Sequence, residues 1–416
     1  MKCGRKIVIP CLVFSGLSFA GTRSSAQAVF QEQIKLKSPL VQQDALFGSA
    51  VAAYGDTLVV GAYNEGRIVG SLAGAVYVFQ AEGPGDWDLV RKLSPWPFVI
   101  WAGLSVDIEG DVIAAGSSNG GVGLFKRNVG GPNAWGRVQI VFPPPQPCCS
   151  SEYGWSVALS GEWLFVGDPM REVPPLPNGP GKVFIFRKQP LEDNWVFFKE
   201  IEGDPFMGLG NGIAAEGDLV AVSGLAGGTE VWLFDRNLGG PDNFGLVKAF
   251  AGTPLGIPRS LDLGDDRLLV GDWNNTGGIG GGARIFERDL GGPDNWGLAA
   301  SFLATVPQDA LGYSVALQDD LAFVGSPSIF FGGNEGRVYV CARRNGTWEP
   351  AGILEAGDGM LGNAFGSALA ATRSTLFVGA QNDSEGQQRS GAAYVLPWKP
   401  LGRVLGPPRN GGTRSF

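Results

Sequence analysis

The 416-residue chain contains no histidine. That absence removes the Ser-His-Asp triad, the Cys-His pair and every His-ligated metal together. No P-loop pattern is present either. Cysteine is scarce, five residues with no CxxC spacing, so a zinc cluster is not encoded. Cys148 and Cys149 are adjacent and Cys341 stands alone, which is no disulfide framework; a vicinal Cys148–Cys149 bridge and buried free thiols are both compatible with this pattern. Charged residues make up only 17%, and the 40 acidic residues outnumber the 32 basic ones for a net charge of −8. That balance opposes binding to nucleic acid or to an anionic membrane surface. Beyond the first 28 residues no run of 18 apolar residues occurs, so no stable membrane insertion of the mature chain is expected.

Residues 1–28 read as a secretory signal peptide. Lys2, Arg5 and Lys6 form the basic start, Ile7–Ala20 the apolar core, and Ala26-Gln27-Ala28 a small-residue cleavage site. The competing reading, an uncleaved anchor, is disfavoured by Pro10 and Gly16 inside a short apolar stretch. Cys11 suggests a lipoprotein, but Pro10 before it fits that signal poorly. We expect cleavage near Ala28 and a secreted, cell-surface or periplasmic address. The leader carries four basic residues and no acidic one, so its loss takes the net charge from −8 to −12.

Glycine is abundant, at 66 residues. The glycines recur at fixed offsets from short apolar runs, which marks turns and not low complexity. The stretch from Phe47 to Lys92 is the unit of the chain: Ser49–Ala53, the tight turn Tyr54-Gly55-Asp56, Thr57–Ala62, a Gly-bounded loop, Ala75–Phe79, and Leu89–Leu93 after Trp87. Four short runs separated by turn residues make a four-stranded antiparallel meander, and a period of roughly fifty residues points to a propeller blade. The first turn recurs at Gly55-Asp56, Gly110-Asp111, Gly161-Glu162, Gly217-Asp218, Gly264-Asp265, Asp319-Asp320 and Arg373-Ser374, which gives seven copies. An aromatic opens strand four as Trp87, Trp135, Trp195, Phe244, Trp296 and Trp348, and its fixed place predicts packing between blades. The expected fold is all-β, a seven-bladed β-propeller over residues 29–398. Its repeats lie near 47–93, 102–141, 153–201, 210–249, 257–303, 311–354 and 365–396, with a flexible tail at 399–416.

The seventh unit has no fourth strand after Leu396. The segment Ile34-Lys35-Leu36-Lys37-Ser38-Pro39 resembles Val90-Arg91-Lys92-Leu93-Ser94-Pro95, so residues 31–39 are expected to close the ring by completing the last blade.

Phe47-Gly48 and Phe365-Gly366, the variants Leu311-Gly312 and Tyr153-Gly154, and Gly61-Ala62 and Gly379-Ala380 together resemble the FG-GAP repeats of integrin-α-type β-propellers. The resemblance covers about residues 31–398. It implies a seven-bladed propeller in an exported protein used for adhesion or ligand binding. It also raises Ca²⁺, which many members bind through a DxDxDG-type loop between strands one and two. Here that loop is a two-residue turn, whereas a hard cation needs six to eight oxygens. No cofactor and no metal site of the family type is expected.

Asp168 and Asp272 occupy equivalent positions after strand two of blades three and five. A carboxylate pair could serve a glycosidase, but the plainer reading is a loop cap. The Gly-Gly-Pro-Asp-Asn segments at 239–243 and 291–295 lie where sialidases place an Asp-box, yet lack its Ser-x-Asp-x-Gly-x-x-Trp order. The informative variation lies in the two-to-three loops of blades one, three, five, six and seven and in the connection Trp96–Trp101, all on one face. Loops on a rigid scaffold carry function. Tyr63, Asn64, Trp96, Trp101, Arg171, Trp273, Asn274, Phe331 and Asn382 are the candidate contacts for a protein or glycan. The sequence therefore favours a monomeric, non-catalytic binding or adhesion module. The alternative is a secreted carbohydrate-active enzyme using carboxylates near the ring axis.

Overall fold

The computed structural model describes residues 29–30, 33–66, 74–83, 85–93, 100–118, 121–144, 152–169, 179–190, 192–224, 231–250, 258–264, 266–273, 281–304, 310–328 and 335–399. The leader, the tail and Cys148–Cys149 lie outside the described residues. Every element among those described is a strand, and the strands form seven antiparallel sheets. The blades span 50–93, 106–141, 156–202, 212–250, 258–303, 315–354 and 365–399, and each runs in simple meander order. The seven-bladed propeller read from the repeats is therefore the fold. The first turns are two-residue hairpins: Tyr54 pairs with Thr57 across Gly55-Asp56, and Thr372 with Thr375 across Arg373-Ser374; in blade five Gly264 itself ends the strand and pairs with Arg267, so the turn follows Gly264 and does not begin with it. Gly55 takes a φ of 60°, the left-handed value that such a turn requires at its first central residue.

The first strands touch in succession around a ring that returns from blade seven to blade one. Burial follows from that arrangement. Thr57–Ala62, Trp163–Asp168 and Leu219–Ser223, all second strands, are buried at every position because a neighbouring blade covers each face. Fourth strands such as Asp86–Leu93 sit at the rim and alternate with solvent. The core is accordingly seven clusters, one per blade interface: Val59, Val78 and Leu93 of blade one meet Ile113, Phe125 and Trp135 of blade two, and Phe377 and Val395 of blade seven meet Leu58 and Tyr77 of blade one. Trp135, Trp195, Phe244, Trp296 and Trp348 all lie in such interfaces, as the fixed spacing predicts. Trp87 is half-buried against Phe377. Blade seven supplies its interface tryptophan from the end of strand three, Trp398, a substitution the six-membered series does not announce.

Val29–Phe30 and Ile34–Leu36 pair antiparallel with Ala392–Lys399, on the side where other blades carry strand four. The register differs by one residue from the Ser-Pro alignment. Lys35 stands opposite Tyr394 as Lys92 stands opposite Tyr77, and Leu36 opposite Ala393 as Leu93 opposite Val76. Lys35 thus corresponds to Lys92, not to Arg91. A one-residue slip reverses every side chain in a strand, and the chemistry decides the matter. Glu65, buried in blade one, accepts the Tyr77 hydroxyl at 2.6 Å and binds the Lys92 ammonium. In blade seven buried Asp383 receives Lys35 at 2.8 Å and lies 3.5 Å from the Tyr394 hydroxyl. Lys35 also bonds Asp358 and Glu385, at 2.7 and 2.9 Å. Burial pulls its pKa down, but these carboxylates outweigh that and hold it above the ordinary lysine value.

Candidate functional site at the channel mouth

A single feature repeats with purpose where the innermost strands begin. In strand-one alignment the residue just inside the channel mouth is Ser49, Leu104, Trp155, Asn211, Arg259, Tyr313 or Ser367, and all seven line a central cavity of about 230 Å³. The next residue is Ala50, Ser105, Ser156, Gly212, Ser260, Ser314 or Ala368, small in every blade. Four of these serines donate to a carbonyl of the following blade: Ser105 to Gly154 at 2.9 Å, Ser156 to Gly210 at 2.8 Å, Ser260 to Gly312 at 3.0 Å and Ser314 to Gly366 at 2.7 Å. The same carbonyls press on strand two of the preceding blade. A Cβ on Gly61 would fall 2.1 Å from the Gly103 oxygen, and one on Gly379 2.0 Å from the Gly48 oxygen. The glycine of the Gly-Ala pair is thus imposed by the neighbouring blade. In blade four the pair is exchanged: Ser223 stands on strand two and Gly212 opposite it on strand one, so one member still lacks a side chain.

The two-to-three loops and the blade connections emerge together. Gly74, Gly181, Gly281, Gly336 and Gly391, which close the loops of blades one, three, five, six and seven, each form a parallel bridge to the following connection, such as Gly74 with Ala102 and Gly391 with Phe47. Those are the five blades whose loops are long. Over the mouth, Tyr63 from the first loop meets Trp101 edge to face with ring centres 6.0 Å apart. Trp273 from the fifth loop meets Tyr313 at 6.1 Å. The Arg259 guanidinium lies 4.3 Å above the Tyr313 ring. Burial raises the Tyr63 pKa and the nearby Tyr313 adds to it, while Arg259 and Arg389 oppose the rise. Tyr63, Tyr313 and Arg259 are thus close enough to feel one another's charge, with Trp101 packed on Tyr63 and Trp273 on Tyr313.

The other expected contacts divide. Asn64 is spent on structure, donating its amide to the Asp44 carbonyl at 2.6 Å. Asn382 is half-buried in the blade-seven loop, with its backbone amide on the Asn363 carbonyl. Trp96, Arg171, Asn274 and Phe331 lie outside the described residues. Sequence reasoning missed Trp155, Arg259 and Tyr313. The signal was available: each follows the FG-like dipeptide position at a place where the blades differ while the flanking positions repeat.

Deeper in the channel the strand-one position that is alanine in five blades is Asp107 in blade two and Asp262 in blade five. Enclosure by protein raises Asp107 to about 6, against hydrogen bonds from Leu159 and Ile108 that lower it. It raises Asp262 to about 7, where the charges of Glu216 and Asp107 add to the rise. Each accepts a backbone N–H from the next blade's innermost strand, Leu159 at 2.7 Å and Leu317 at 2.6 Å. Asp168 takes the backbone hydrogen bond expected of it, whereas Asp272 is held in a buried ion pair instead. Asp168 accepts the Glu152 amide at 2.8 Å, and buried Asp272 pairs with Arg284. Cys341 is a buried free thiol whose pKa burial pushes up to about 12.

The family model described as FG-GAP repeat matches residues 30–79 and 348–396. These segments fall at the two blades that carry the acid–Tyr–Lys cluster. With seven four-stranded blades in a ring, the chain fits an FG-GAP, integrin-α-type propeller. Similar solved structures include the Saccharomyces cerevisiae Sqt1, 9% identical over 87% of this chain and 97% of that one with a TM-score of 0.51. Another is the computationally designed Ika8 protein, 13% identical over 86% of this chain and 97% of that one with a TM-score of 0.49. At such identities the Sqt1 likeness speaks for the fold alone. No curated protein matches the chain.

Proposed function

We propose that the chain is an exported, non-catalytic binding or adhesion module, and that a protein or glycan ligand meets the face bearing the two-to-three loops. One observation carries this reading: aromatic side chains from blade one, the first connection, blade five and blade six converge on the channel mouth beside an arginine. Aromatic and arginine anchors on a rigid frame are the usual source of binding energy at a recognition surface. The opposite face offers two-residue hairpins and the repeated Asp-Asn turns, which have little room for a specific site. The face proposal is tested by screening the mature chain against glycan and surface-protein arrays, with mouth variants alongside.

A second reading rests on Asp107 and Asp262, two carboxylates in the lumen with raised pKa values. Such groups suit acid–base work on a glycosidic bond. Their hydrogen bonds to Leu159 and Leu317 give them a structural task already, which favours the binding reading. Turnover of any oligosaccharide that is abolished by Asp262→Asn would reverse that order. We also propose that the fold needs no Ca²⁺, because a two-residue turn presents two carboxylates at most, as at Asp319-Asp320, where a hard cation needs six to eight oxygens, so melts in EDTA and in millimolar Ca²⁺ should coincide.

A further inference from the structure

Arg259 is unlike the other cations of this face. Lys35, Lys92, Lys182, Arg284 and Arg389 are each held by a carboxylate. Arg259 has no ion pair and donates no hydrogen bond to any described residue, and its contact there is the Tyr313 ring beneath it. Its side chain is half-buried at the lip of the cavity, in a chain whose net charge is negative. Stacking on a ring fixes the guanidinium plane while leaving its N–H edge open. An arginine kept in one orientation, with no internal anion, is prepared for a bidentate oxyanion from outside.

We propose that the channel mouth binds an acidic saccharide, one sugar ring carrying a carboxylate or a sulfate, with Arg259, seated on Tyr313, on the oxyanion and Trp155 against the ring. The inference rests on the face assignment above and deepens it. The cavity of about 230 Å³ is smaller than a drug-sized pocket and suits a single ring. Trp155 lines it, and its indole N–H makes no hydrogen bond to a described residue. Ser49 and Asn211 also line the cavity, but the Ser49 hydroxyl donates to the Gly61 carbonyl at 3.3 Å and the buried Asn211 amide to the Pro258 carbonyl at 2.9 Å, so the sugar contacts fall to Arg259 and Trp155. Asp107 and Asp262 lie further along the same strands, so an anion is favoured at the mouth and repelled from the depth.

The test is calorimetric titration of the full mature chain with digalacturonate, a sulfated galactose disaccharide, neutral galactobiose, sodium acetate and sodium sulfate. One acidic disaccharide should bind, neutral galactobiose and the free anions should bind at least about tenfold more weakly, and Arg259→Gln should erase the difference. Asp294→Ala, in a turn on the far face, should bind as wild type does. Digalacturonate or sulfated galactose as the better ligand identifies the oxyanion. Equal binding of the neutral sugar, binding of the free anions alone, an unaffected Arg259→Gln, or no binding of any probe at millimolar concentration overturns the inference. The array screen judges the face independently, because a protein ligand lost in Trp273→Ala upholds the face while leaving the saccharide refuted.

Discussion

Two adjacent residues on each innermost strand follow opposite rules. The residue at the mouth ranges from Ser49 through Trp155 to Arg259, whereas the residue after it is glycine, alanine or serine in all seven blades. The second is trapped between strand two of its own blade and a carbonyl of the next, so packing dictates its size. The first lines the cavity, and what it packs against differs from blade to blade. Uniform positions in this ring report assembly, and varied positions beside them mark where specificity can be written. Changes in the lower layer should therefore strike stability, and changes at the mouth should strike binding.

The largest lever acts on the ring that both layers share. Deleting residues 31–39 should leave Ala392–Lys399 with an unpaired edge and buried Asp383 without Lys35, giving aggregation or outright loss of folding by light scattering and circular dichroism. Lys35→Met alone should cost about 3–5 kcal/mol, as stranding a buried charge does. A truncated chain that is soluble and equally stable would place the closure elsewhere.

Next comes the lower layer. Gly61→Ala should cost about 2–3 kcal/mol or more in denaturant melts, because its Cβ collides with backbone of the next blade. Gly55→Ala, whose Cβ would meet nothing within 4 Å, should cost only the ~1 kcal/mol of a positive φ. Equal costs would refute the claim that blade contact imposes the strand-two glycine.

The exchange in blade four sharpens the same point. Gly212→Ser should destabilise, since its Cβ would sit 2.5 Å from the Arg259 oxygen and 2.9 Å from the Ser223 hydroxyl. Adding Ser223→Gly should restore the part owed to the hydroxyl, a coupling of about 1–2 kcal/mol, while the part owed to the Arg259 carbonyl remains. Additive effects would mean that the two positions do not share one space.

A smaller effect comes from the channel carboxylates. Their folded pKa values, about 6 and about 7, lie above the ordinary 3.8, so the folded state holds protons that the unfolded chain has lost. Stability should therefore decline as pH rises from about 4 to about 7, and the penalty is complete above that window. Asp262→Asn, which keeps an oxygen for the Leu317 amide, should flatten the decline in melting temperature between about pH 5 and pH 8. An unchanged slope would show that Asp262 is ionised throughout.

The blades were legible because landmarks repeat with the blade: the two-residue turn in all seven, the strand-two glycine in all but blade four, and the strand-four aromatic in all but blade seven. That Ile34–Leu36 pairs beside Ala392–Lys399 was legible by likeness, but its register was not. The Ser-Pro pair pulled the alignment one residue away from the Tyr394–Lys35 pairing that burial chooses. The mouth was only half legible. Long loops advertised Tyr63, Trp101 and Trp273, whereas Arg259 sits at the start of a strand and Trp155 and Tyr313 just before one, where the pattern looks purely structural. Asn64 shows the converse error, an exposed-looking polar residue consumed by a backbone carbonyl.

The most direct test of the binding-face account compares two variants in one array screen of the mature chain. Trp101→Ala with Trp273→Ala removes one aromatic from each side of the mouth, and Asp294→Ala alters a turn on the opposite face. The account predicts that whatever the wild type captures is weakened about tenfold or more in the double variant and unchanged in Asp294→Ala, with both variants melting close to wild type. Capture that survives the loss of both tryptophans but fails in Asp294→Ala would contradict it.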